Sequence, residues 1–367
     1  MVTAAPRPFV PTRPPTHRGR GARSNETGRY EREVRVRTDD GWTGAEAAAP
    51  EPAVTRVEPL PARRIVTYND SPFVGFDRSI NPYRGCEHGC AYCFARPTHA
   101  YLGLSAGLDF EARLFVKPDA ARLLRRELSA KRYAVRPIAI GTNTDPYQPI
   151  ERQHRVMREV LEVLSEFGHP VSVLTKSDLV LRDLDLLAPM AARGLARVML
   201  SITTLDGGLA RAMEPRAPRP GKRLEAVRVL AMAGVPTGTV HGPMIPGLSD
   251  HELERLMEAS RERGATYAAY TLLRLPQEVA GLFEEWLEAH APNAKARVLR
   301  HLRDLNGGRI YDPRWSRAEE PRGVVAQLLA QRFAKAYRRL GFEEMPALRC
   351  DRFAVPRTPS PQSELFG

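Results

Sequence analysis

Cys86, Cys90 and Cys93 fall within eight residues, separated by three residues and then two, in the stretch Asn81-Pro-Tyr-Arg-Gly-Cys-Glu-His-Gly-Cys-Ala-Tyr-Cys-Phe94. Three thiols this close on a glycine-containing loop are a metal site before they are anything else. A protein-only tetrahedral zinc site takes four ligands, and a cubane iron–sulfur cluster with full protein ligation takes four cysteines, one per iron. This loop supplies three. A cubane held by three thiolates keeps open coordination positions on one iron, where a small molecule can bind. The alternative is a zinc knuckle completed by His88 or by the distant Cys350.

Such a loop needs elements to hold it. Ile65–Asn69 and Ser79–Tyr83 are short β-prone runs, the second delivering the chain into the cysteines. Beyond them, strand-like and helix-like stretches alternate. Apolar runs at 137–142, 171–175, 198–202, 236–241 and 268–273 read as buried parallel strands, and helical patterns fill 118–131, 156–167, 180–190, 223–233 and 249–264. Ser249 with Glu252 three residues on has the form of a capping box. Repeated strand–helix units specify parallel strands with crossovers of one hand, which curl a sheet toward a barrel. The fold class expected is α/β, a partial (β/α)6 TIM-like barrel, with a doubly wound open sheet as the rival. One helix is expected over 276–303, with Trp286 and Leu287 inward, and another is ended near Gly341. The division expected is a mostly disordered Arg- and Pro-rich arm over 1–55, a core at 60–280, a helical module at 281–350 and a flexible tail at 351–367.

The cysteine spacing, with Tyr92 before the last cysteine and Phe94 after it, resembles the signature loop of the radical S-adenosylmethionine (SAM) enzymes. The resemblance implies a [4Fe–4S] cluster on Cys86, Cys90 and Cys93, SAM bound at the open iron, and a 5′-deoxyadenosyl radical that takes hydrogen from a substrate. It also implies an electron donor such as flavodoxin or ferredoxin. Carried over position by position, Thr142, Asn143, Thr144 and Asp145 match the segment that meets the SAM amino group. Lys176 and Ser201 match contacts to its carboxylate and ribose in the spore photoproduct lyase branch, with Thr203 and Thr204 as neighbours that can substitute. Gly19–Glu31 resembles the leader of a bacterial subgroup grouped with those lyases and often labelled DNA repair photolyases. Tyr92 and His241 are the catalytic candidates. The chain departs from spore photoproduct lyase in having Phe94 where a second tyrosine stands, and no further cysteine except Cys350.

The net charge of +12 favours a polyanionic partner such as nucleic acid, although an arginine preference of the genome gives the same balance. A peptide or small-metabolite substrate, or a non-catalytic zinc-knuckle protein that binds nucleic acid, are the other readings. Four cysteines with three on one loop fit a reducing, cytoplasmic setting, and no apolar run has the length of a membrane span. Gln362, Leu365 and Phe366, near the C-terminal end, resemble the short peptide that binds the DNA sliding clamp.

Overall fold

The computed structural model describes residues 17–31, 34, 53–70, 74–313 and 323–356. Its strands, in chain order, are β1 (Arg56–Pro59), β2 (Val66–Tyr68), β3 (Arg78–Ile80), β4 (Tyr83–Arg84), β5 (Arg113–Val116), β6 (Ile138–Ile140), β7 (Val171–Thr175), β8 (Ala196–Ser201), β9 (Thr237–Met244) and β10 (Tyr267–Leu272). In the main sheet β3, β6, β7, β8, β9 and β10 lie side by side in that order and run parallel. The short β2 adds antiparallel to the β3 edge. Among the described residues β2 and β10 do not meet, so the barrel is partial and open.

Helices cross between the parallel strands because their apolar residues recur at helical spacing. Over Val156–Glu166 the buried set is Val156, Met157, Val160, Leu161, Val163 and Leu164, one stripe laid on the sheet. Each such side chain contributes about 1.5–3 kcal/mol on burial. The sheet and these helices share one core. A second core joins Cys90, Ala91 and Tyr92 of the cysteine loop to Val279, Phe283, Trp286, Val298 and Leu302. The C-terminal helices therefore support the loop directly, and the Trp286 indole donates to the Ala212 carbonyl at 2.9 Å.

Several features depart from the pattern the residues announce. The single helix expected over 276–303 is two, Val279–His290 and Pro292–Leu305. Pro292 lacks the N–H that a continuing helix requires and instead starts a new one. The capping box does not form: Ser249 Oγ accepts the Ile245 N–H at 3.1 Å, and Glu252 accepts the Thr204 hydroxyl and the Leu205 N–H. A second sheet, β1-β5-β4, was not foreseen. It brings β4 against β5, so the chain enters Gly85 and Cys86 from a paired strand.

Within the stretch 1–55, expected to be mostly disordered, residues 17–31 pack on the core. The Gly21 and Ala22 N–H groups donate to the Glu111 carboxylate at 2.9 and 2.7 Å, and Arg20 donates to the Glu111 carbonyl at 2.7 Å. Gly21 is required by close approach, since a Cβ there would stand 1.8 Å from the Gly89 carbonyl oxygen. The tail residues Gln362, Leu365 and Phe366 lie outside the described residues.

Gly141 closes β6 at φ +92°, and a Cβ on it would lie 1.9 Å from the Leu174 carbonyl oxygen. Gly141→Ala is expected to cost at least about 2 kcal/mol through left-handed backbone and the clash together. The measurement is the urea midpoint, which should fall with the denaturant slope unchanged.

Candidate functional site

The segments after the parallel strands meet the cysteine loop. Asn81, just past β3, accepts the Asn143 and Thr144 N–H groups at 3.0 and 3.2 Å and donates to the Thr142 hydroxyl at 3.2 Å. The Thr144 hydroxyl donates to the Tyr83 carbonyl, and the buried Gln148 bridges the Glu87 N–H at 2.8 Å and the Gly85 carbonyl at 3.2 Å. The segment after β6 is thereby stitched to the loop. Backbone of that loop also bonds outward: the Cys86 N–H reaches the Phe110 carbonyl and the Ala91 N–H the Met213 carbonyl. Gly85 and Gly89, at φ +73° and +68°, make the reversals that this path needs.

Arg96 is fully buried and holds the loop from behind. It donates to the Cys90 carbonyl at 2.9 Å, to the Ala106 and Gly107 carbonyls, and to the Glu111 carboxylate. Removing one partner of such a pair leaves a buried charge, a loss of about 3–5 kcal/mol.

Asp145 is held by neighbours from three parts of the chain. Its carboxylate accepts the Thr175 hydroxyl at 2.6 Å, the Lys176 N–H at 2.8 Å and the Tyr147 N–H at 2.9 Å, with the His88 ring 3.4 Å away. Burial alone would raise its pKa, but His88 and these donors hold it down to about 2. It fixes the turn between β7 and Lys176.

Lys176 and Ser201 come together: the ammonium donates to the Ser201 hydroxyl at 2.8 Å and lies 3.9 Å from Glu214. It also lies 5.8 Å from the centre of the Tyr92 ring. The Tyr92 hydroxyl donates to Glu214 and is 3.2 Å from the Thr203 hydroxyl. Burial, then the charge of Glu214, pushes the Tyr92 pKa well up, so the phenol stays protonated. Thr203 donates to Glu214 at 2.7 Å, whereas Thr204 is held by Glu252. His241 is sealed within β9 with Nε2 3.2 Å from the Thr239 hydroxyl, and burial lowers its pKa to about 4. Thr142 and Asn143 are half-exposed.

Glu214 and its partner Arg223 had no signal in the sequence. Arg223 donates to the Glu214 carboxylate, to the Ser201 carbonyl at 3.0 Å and to the Pro218 carbonyl at 2.7 Å. Burial would raise the pKa of Glu214, but Arg223 and then Lys176 lower it to about 2. A lone Glu before Pro-Arg reads as surface until the fold brings Tyr92 to it.

Residues 80–259 match the Radical SAM superfamily. They belong to it. An uncharacterized protein of Mycobacterium tuberculosis is 37% identical over 224 residues, covering 60% of this chain and 66% of its own length, just under two thirds. One from Methanocaldococcus jannaschii is 29% identical over 199 residues, covering 54% of this chain and 72% of that protein. Among solved structures, spore photoproduct lyase complexed with dinucleoside spore photoproduct superposes with a TM-score of 0.52 at 15% identity, covering 78% of this chain and 80% of that one. At that identity the likeness is one of fold.

The radical SAM loop has a donor set that fits a [4Fe–4S] cluster. All three loop cysteines are free thiols, and burial raises each pKa, that of Cys90 to about 12 with Glu214 adding to the effect. A thiolate there needs positive charge beside it, which iron supplies. Among the described residues no three metal-binding side chains close on one ion-sized point, a demand that a cubane does not make because each thiolate bonds a separate iron. Cys350 is on the far side of the radical SAM sheet: its neighbours Arg349 and Ala354 bond to Gly194 and Phe167, which precede β8 and β7. It is out of reach as the fourth ligand of a zinc knuckle, and the His88 ring is already beside Asp145.

Glu214→Gln is expected to lower stability at pH 7 by about 3–5 kcal/mol, since Arg223 is left charged and buried. A carboxylate with a depressed pKa stabilises the fold above its ordinary value of 4.5 and loses that contribution as pH falls toward about 2. Urea midpoints between pH 5 and 2 should therefore fall less steeply in the variant than in the parent chain.

Proposed function

We propose that this chain is a radical SAM enzyme that holds a [4Fe–4S] cluster on Cys86, Cys90 and Cys93 and acts on nucleic acid. The observation that carries this reading is the set of three free thiols, two buried and one half-buried, on the loop after β3, whose Tyr92 ring lies 5.8 Å from the ammonium of the Lys176–Ser201 pair. A [4Fe–4S] cluster held there would supply the one-electron reduction that cleaves SAM to methionine and a 5′-deoxyadenosyl radical able to take hydrogen from a substrate.

The residues of the chain do the holding. Lys176 offers its ammonium to the SAM carboxylate, exchanging the neutral Ser201 hydroxyl for an anion, and Ser201 is then released to the ribose. Thr142 and Asn143 take the SAM amino group in place of Asp145, whose role is to fix the backbone of Lys176. Tyr92 packs beneath Lys176, and its part is to position that ammonium. His241, neutral above about pH 4 and fully buried, has no proton to offer near neutrality.

The nucleic-acid half of the reading is supported by the net charge of +12 and by the fold shared with spore photoproduct lyase, an enzyme solved with a dinucleoside photoproduct. A reductant of the flavodoxin or ferredoxin kind would supply the electron. The Gln362, Leu365 and Phe366 tail is proposed as a tether to the DNA sliding clamp, and a peptide of the last dozen or so residues should bind purified clamp while its Leu365→Ala/Phe366→Ala form does not.

After anaerobic reconstitution, the parent chain should carry about four irons, the complement of one cubane, and form 5′-deoxyadenosine with dithionite. Cys86→Ala, Cys90→Ala or Cys93→Ala should lose most iron and all SAM cleavage, whereas Cys350→Ala keeps both. Full SAM cleavage by Cys93→Ala would sink the assignment. Lys176→Met should keep its iron and bind SAM about tenfold or more weakly, the loss expected for a charge-assisted hydrogen bond.

A further inference from the structure

A cleft of about 660 Å³ opens between the N-terminal arm and residues 208–219. Five arginines line it, Arg18, Arg20 and Arg23 from the arm and Arg211 and Arg219 from the facing wall, and no Asp or Glu does. Arg20 is spent on the Glu111 carbonyl and Thr55, so it builds the wall. Arg18, Arg211 and Arg219 are exposed, and their guanidinium groups make no hydrogen bond or ion pair among the described residues. Three carboxylates behind its walls are already neutralised, Glu87 by Arg216 at 3.0 Å, Glu111 by Arg96 and Glu214 by Arg223, while Asp206 at its rim accepts the Gly208 and Leu209 N–H groups. Like charges that converge on a concave surface with no counter-ion of their own concentrate a positive potential there.

Both walls touch the cysteine loop. A Cβ on Gly21 of the arm would press on the Gly89 carbonyl, and one on Gly89 would stand 3.4 Å from Pro215 of the other wall. The Arg216 N–H donates to the His88 carbonyl at 3.3 Å. Whatever occupies the cleft is therefore registered against the loop that carries the thiols.

We infer that this cleft binds the phosphodiester backbone of a nucleic-acid strand, with Arg18, Arg211 and Arg219 each facing phosphate. The inference rests on the nucleic-acid reading proposed above and adds a place for it. Guanidinium forks match phosphate oxygens in pairs, and contacts of this kind position a strand without reading its bases. A cleft with three unpaired arginines is longer than one phosphate needs, which favours a polymer over an isolated ion. The arm that the composition left as linker is then one jaw of a substrate clamp.

The test is fluorescence anisotropy with a labelled single-stranded DNA twenty-mer, titrated with the reconstituted full chain over a salt series, beside an Arg18→Gln/Arg211→Gln/Arg219→Gln variant. The parent should bind, and the variant should bind at least tenfold more weakly with its log–log salt slope reduced by about two, the value for three phosphates on a single strand. Iron content and dithionite-driven SAM cleavage without DNA should be unchanged, which shows that the variant is folded and loaded. Equal affinity and slope in parent and variant would overturn the cleft while leaving nucleic acid as substrate. No binding by the parent would overturn both. Inorganic triphosphate that binds the parent as tightly as the oligonucleotide would make this a small polyphosphate site and overturn the strand assignment.

Discussion

The cysteine loop keeps its path because one buried ion pair, Arg96 with Glu111, answers backbone groups that no helix or sheet reaches. Arg96 takes the carbonyls of Cys90, Ala106 and Gly107, and Glu111 takes the N–H groups of Gly21 and Ala22. A loop of this length has little local structure of its own, and unpaired backbone in a buried position costs about as much as a lost hydrogen bond. The two charges convert that debt into a fixed geometry for three thiols.

The same device recurs around the site. Glu214 with Arg223 fixes Tyr92, Thr203 and the carbonyl of Ser201, while Asp145 with His88 fixes the backbone of Lys176. Each carboxylate is answered by a partner from another part of the chain, so breaking one contact disturbs two segments at once. Lys176 is the exception. Its ammonium bonds a neutral hydroxyl, with the nearest carboxylate at 3.9 Å, and it keeps the capacity to meet an anion.

The parallel strands were legible because buried β-runs such as Val171–Thr175 are short, apolar and bounded by turn residues. The three-cysteine loop was legible from its spacing, and it falls inside the stretch that matches the Radical SAM superfamily. What escaped the sequence shares one cause, dependence on partners far along the chain. β4 is two residues long and exists because β5 lies against it, and β1 pairs with β5 across more than fifty residues. Glu111 and Glu214 look like any other surface glutamate in a chain rich in charge. The bond from the Lys176 N–H to Asp145 had no signal either, because a strand-end carboxylate does not announce which backbone groups it will meet. Arg20 to Ala22 lie in a stretch that reads as mostly disordered for want of apolar residues, yet small residues are what a close backbone approach requires.

The docked arm also orders events in the making of the protein. Gly21 emerges from the ribosome about ninety residues before Glu111, the carboxylate it must bond. Until that partner is synthesised and folded, the back of the cysteine loop stays uncovered. Arm and loop share that one carboxylate, through the Gly21 and Ala22 N–H groups on one side and Arg96 on the other, so the cover of the loop is made first and fitted last.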